Sequence, residues 1–133
     1  MRPGPARGET ATLEIVVTPD MTARVGGREI HPVYGTGALV QHVEEVCRTI
    51  LEPHLEEGEE GVGYQMDVTH RAPVAVGASV TLTASVAKVG PQELTCEVLA
   101  RSGNALVARG SFTQRVVDLA EFRQSISPPA TVG

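Results

Sequence analysis

Leu39, Val43, Val46, Cys47 and Ile50 recur at spacings of three and four, and no other substantial stretch of the chain has that period. An amphipathic helix gathers such residues onto one face, so the pattern predicts a helix over residues 36–52. Pro53 ends it, because proline has no N–H for the helical ladder. The other patterned stretches, residues 12–17, 62–69, 79–86, 93–99 and 105–117, alternate at least partly and are rich in β-branched residues, so they read as strands. Gly90-Pro91 and Ser102-Gly103-Asn104 are short enough to be hairpin turns. Residues 22–32 carry Gly26-Gly27 among scattered polar residues and read as a loop leading to the helix, in the place of a lid. One strand, one long helix and four further strands predict an α+β fold with a five-stranded antiparallel sheet. A single helix cannot cover such a sheet from edge to edge, so a second copy is expected and the chain should be a homodimer.

At 133 residues the chain has the size of one domain, expected over residues 11–123, with flexible segments at 1–10 and 124–133. Aromatic residues make up 3% and Trp is absent, so the core must be built from Val, Leu, Ala and Ile. A formal charge of −5 with a single lysine, Lys88, argues against nucleic acid as a partner. Cys47 and Cys96 each lie within an apolar pattern and read as buried thiols, which fits a reducing, cytoplasmic setting. No apolar run is long enough to span a bilayer, and no signal-peptide pattern follows Met1-Arg2-Pro3. Glu56, Glu57, Glu59 and Glu60 read as a solvated acidic turn.

Chemistry concentrates around the start of the helix. Thr36, flanked by Gly35 and Gly37, stands at the expected N-cap, near free N–H groups and the positive end of the helix dipole. A carbonyl oxygen gaining negative charge would be stabilised there, and the competing reading is a plain capping threonine. Glu44 lies eight residues on, about 80° round the helix with Val40 between, and borders the apolar stripe. Partial burial would make it a base, whereas a wet head on a packed stem is the alternative. His70 closes the strand that ends before Ala72-Pro73 and suits proton transfer near neutral pH. His31, His42 and His54 show no partners in the sequence. No metal-ligand spacing, complete dinucleotide fingerprint or serine elbow is present, so neither a metal nor a separate cofactor is expected.

Taken together, Thr36-Gly37, Glu44 eight residues later and Val68-Thr69-His70 with the histidine twenty-six beyond the glutamate resemble the fluoroacetyl-CoA thioesterase family of the hot-dog fold. Leu55-Glu56, Gly58-Glu59, Gly63 and the segment from Pro73 to Val80 add to the likeness, which spans residues 9–123. The resemblance implies a dimer whose interface holds an acyl-CoA site, with coenzyme A entering as part of the substrate. Carried over, it makes Thr36, Glu44 and His70 the catalytic set, places Gly63 in the oxyanion region, and sets Tyr34, Gly37, Val40 and Arg71 around the substrate. The family's fluoroacetyl-specific enzyme has phenylalanines in the lid before its threonine, whereas residues 26–34 here contain none. A general or pathway-specific acyl thioesterase is therefore expected. The rival readings are a non-catalytic acyl-CoA-binding protein and a hot-dog hydratase or dehydratase.

Overall fold

The computed structural model describes residues 1–126 and 128. Its strands are β1 (Thr10–Val16), β2 (Thr22–Val25), β3 (Arg28–Tyr34), β4 (Glu59–His70), β5 (Ser79–Gly90), β6 (Glu93–Ser102) and β7 (Ala105–Asp118), and its helices are α1 (Thr36–Leu51) and α2 (Leu119–Ser125). Five strands form one antiparallel sheet in the order β1-β5-β6-β7-β4, and α1 packs across one face of it. This is the expected α+β architecture. Period-two alternation explains the packing: Val80, Leu82, Ala84 and Val86 of β5 and Leu94, Cys96, Val98 and Ala100 of β6 are all buried. They form one core with Leu39, Val43, Val46, Cys47, Ile50 and Leu51 of α1. Each large aliphatic side chain so buried contributes roughly 1.5–3 kcal/mol. Both cysteines are free thiols in that core, and the hydrogen bond to Cys96, with burial behind it, pushes the Cys47 thiol's pKa up. No helix among the described residues is long and apolar enough to cross a membrane.

Residues 22–32, expected to be a loop, contribute instead to a β-hairpin. Gly26 and Gly27 take φ of +59° and +79°, the left-handed pair that a two-residue turn requires. The register slips between Thr22 and Arg24, opposite the stretch holding Pro32, which cannot donate to a ladder. The root of the hairpin is fixed to its surroundings: Gly35 N donates to Met21 O at 2.8 Å and Tyr34 N to Val74 O at 2.8 Å. A Cβ on Gly35 would lie 2.8 Å from Ala23 Cα, so only glycine lets β2 cross the helix start this closely.

Three further differences follow from local chemistry. The acidic stretch expected to be a solvated turn already enters β4 at Glu59, and Glu60 pairs with Arg48 at 2.8 Å, which holds its carboxyl below the usual range. Where a flexible lead-in was expected, Met1 is buried and its ammonium bonds Glu59 and Glu56. The short helix α2 was not anticipated, although its signal is local: Asp118 caps it by accepting from Glu121 N at 2.9 Å. Of the expected C-terminal tail, residues 127 and 129–133 lie outside the described residues.

Candidate active site

The cap of α1 is Gly35, one residue earlier than expected, so Thr36 is the first helical residue. Its hydroxyl is therefore not engaged as the cap, and Thr36 Oγ1 lies 2.9 Å from His70 Nδ1. Because a glycine cap brings no side chain, the first-turn N–H groups carry no side-chain acceptor. His70 reaches this spot because Met66, Val68 and His70 alternate onto the helix-facing side of β4. The chain then turns away, with Arg71 N and Ala72 N both donating to Val107 O, at 2.7 and 3.2 Å. Thr36, His70, Tyr34 and Arg71 line one cavity of about 270 Å³, with His31 and Ala23 supplied by the hairpin. Gly37 and Val40 do not line it: Gly37 faces open space, and Val40 is half-buried on the next turn.

Tyr34 closes the inner wall and is only 1% exposed. Its hydroxyl lies 2.6 Å from His42 Nδ1, so the expectation that His42 lacks a partner is corrected. Burial pushes the phenol's pKa well up. Burial also pulls His42 down, against the opposing charge of Glu45. The phenol therefore donates and the neutral imidazole accepts. The Tyr34 and His42 rings lie nearly parallel with centroids 5.7 Å apart, and the Tyr34 and His70 rings meet edge-on at 6.1 Å. His70 Nε2 is buried and, among the described residues, has no hydrogen-bond partner. His54 is also partnered, its Nε2 lying 3.3 Å from Glu9 Oε2.

Glu44 is not brought to this cavity. It is exposed, and it lines a second cavity of about 410 Å³ with Gly63, Phe112 and Gln114. The eight residues from Thr36 to Glu44 rise about 12 Å along the helix, beyond the reach of a carboxylate. A Cβ on Gly63 would come 3.3 Å from the Phe112 ring, so its lack of a side chain keeps that cavity open. Gln114, which nothing in the sequence singled out, is buried there, and its Nε2 has no partner among the described residues. Both cavities touch β4, His70 at its C-terminal end and Gly63 seven residues before it. Among the described residues no three His, Cys, Asp or Glu side chains converge to hold a metal.

Comparison with known proteins places this geometry. The family model of the fluoroacetyl-CoA-specific thioesterase FlK matches residues 17–120. The fluoroacetyl-CoA thioesterase of Streptantibioticus cattleyicolor is 30% identical over 139 residues, covering all of both chains. A thioesterase superfamily member from Thermus thermophilus superposes with a TM-score of 0.86 at 35% identity, covering 93% of this chain and 91% of its own. A solved structure of FlK superposes with a TM-score of 0.84 at 31% identity, covering 93% and 99%. A hot-dog-like protein from Thermanaerovibrio acidaminovorans, at 23% identity and a TM-score of 0.82 over 89% and 87% of the two chains, shares the fold. With a five-stranded sheet laid over one long helix and a match across nearly the whole chain, the protein belongs to the fluoroacetyl-CoA-specific thioesterase family and is a thioester hydrolase of the hot-dog fold.

Proposed function

We propose that the chain hydrolyses acyl-CoA or related pantetheine thioesters, releasing a carboxylic acid and a thiol, with Thr36 and His70 at the reacting carbonyl. The observation that carries this is the 2.9 Å contact between Thr36 Oγ1 and His70 Nδ1 at the uncapped start of α1. In the tautomer with Nδ1 unprotonated, the hydroxyl donates to it, and His70 takes that proton as Oγ1 attacks the thioester carbon. The first-turn N–H groups face the developing oxyanion. The C–S bond breaks, the thiolate takes the proton from His70, and water then releases the acid from Thr36. Coenzyme A enters only as part of the substrate, and Tyr34, Gly37, Val40 and Arg71 surround it. Without phenylalanines in the hairpin, a general acyl group suits the site better than a fluorinated one.

Glu44 and Gly63 complete the site from a second protomer. β4 is a twelve-residue edge strand with β7 on one side and, among the described residues, nothing on the other. A free edge of that length invites pairing. Two copies joined antiparallel along β4 bring the Gly63 end of one strand to the His70 end of the other, and Glu44 with it. In the composite site Glu44 orients the hydrolytic water and Gly63 lies on the oxyanion side. The two free core thiols suit a reducing compartment, and we assign the protein to the cytoplasm.

Purified protein with a panel of acyl-CoAs and a thiol reagent tests the activity, and no release above background from any of them overturns it. The expected result is turnover that His70→Ala lowers by at least about a hundredfold. A mass increment of the acyl group on the Thr36 peptide, trapped with a slow substrate, is expected if Oγ1 is the nucleophile. Its absence during turnover would leave Thr36 holding the carbonyl or the water.

A further inference from the structure

We propose that His42 is a positioning residue for the thioesterase reaction, acting through Tyr34 on His70; this rests on the hydrolytic reading of the site. Three contacts form the chain. His42 Nδ1 lies 2.6 Å from the Tyr34 hydroxyl, the Tyr34 ring meets the His70 imidazole edge-on at 6.1 Å, and His70 Nδ1 lies 2.9 Å from Thr36 Oγ1. The middle ring is held at both ends. Its main chain is tied by Tyr34 N to Val74 O at 2.8 Å, and its far end by the hydroxyl on His42.

His70 has no comparable restraint of its own. Among the described residues its only side-chain hydrogen bond is to Thr36, and its buried Nε2 has no partner. In a serine-type triad a carboxylate on the second nitrogen fixes the imidazole's rotation and tautomer. Here that nitrogen has no acceptor among the described residues, so within the protomer the ring's orientation comes from packing. The packing surface is the Tyr34 ring, and Tyr34 stays in place because its phenol is bonded into α1. An edge-to-face pair at this separation is directional enough to hold a ring. His42 never touches substrate in this scheme, and its effect ends at the angle of His70.

The test uses Tyr34→Phe, His42→Leu and His42→Asn, each alone and with His70→Ala, with kcat and KM measured on the best acyl-CoA. Tyr34→Phe and His42→Leu are expected to lower kcat about tenfold with little change in KM, as misplacement of a catalytic group does. His42→Asn puts an acceptor oxygen near the former Nδ1 and is expected to recover most of that loss. In the His70→Ala background His42→Leu should have no further effect. A wild-type kcat in His42→Leu, an equal loss in the His70→Ala background, or no difference between Asn and Leu overturns the proposal. If His42→Leu fails to fold, Tyr34→Phe, which removes one oxygen, carries the test. Nitrogen NMR of the imidazoles needs no substrate and separates this inference from the activity: Tyr34→Phe should shift the tautomer balance of His70, and an unchanged His70 spectrum overturns the proposal even where no thioester is turned over.

Discussion

Thr36 owes its availability to a displacement of one residue. Had it been the cap, its oxygen would have accepted a first-turn N–H; with Gly35 in that position the hydroxyl is left for His70. His42 makes a prediction at the same scale. Its folded pKa lies below the ordinary value of 6.5 because burial outweighs the charge of Glu45. Just below that value the unfolded chain binds a proton that the folded chain refuses, so stability falls as pH falls through this window. Urea midpoints measured at neutral and mildly acidic pH should therefore drop more for the wild type than for His42→Asn, and equal drops would contradict the assignment. Thr36 and His70 were legible in the sequence because a helix start and a strand end each have local markers. The Tyr34–His42 bond was not, since two residues eight apart meet only when the chain reverses at Gly35, and no periodicity records that.

Among the elements, α1 and the five sheet strands were legible because each has enough residues for its period to show. The β2–β3 hairpin was missed because its strands are mostly exposed, interrupted by Pro32 and slipped in register, so neither face reads as apolar. Gly26-Gly27 was its one clear marker. Glu44 was placed correctly on the helix but not in its surroundings: partial burial was expected beside the apolar stripe, and the residue is exposed, because the stripe's own residues turn to the sheet and leave it on the solvent side. The β4–β7 pair carries a sharp constraint at Gly110, where an added Cβ would sit 2.0 Å from Asp67 O. Backbone cannot rotate aside as a side chain can. Gly110→Ala should therefore cost about 1–3 kcal/mol or more, the range for forced overpacking, and lower the melting temperature clearly. Gly37→Ala, with open space beside it, serves as the control for stability and should melt within a few degrees of the wild type.

At the scale of the whole molecule, the proposed mechanism needs a dimer, because Glu44 and His70 lie apart within one chain. Glu44→Gln and His70→Ala homodimers should each be nearly inactive. Refolded together in equal amounts, half of the dimers are mixed and each of those holds one intact site, so about a quarter of wild-type activity should return. A mixture as inactive as its components would place all three residues within one protomer. A second copy was expected from one helix under a five-stranded sheet, whereas a site at a dimer interface was implied only by the family resemblance.

The crossing at Gly35 also divides the hairpin into two parts with different freedom to evolve. Its root presses on the helix start with no spare clearance, so any drift there moves Thr36. Its tip, from Arg24 to His31, turns on two glycines and borders the mouth of the cavity through His31. On the proposed mechanism, acyl preference can therefore diversify at the tip while the root stays bound to the reaction, so that the entrance is replaceable without its threshold.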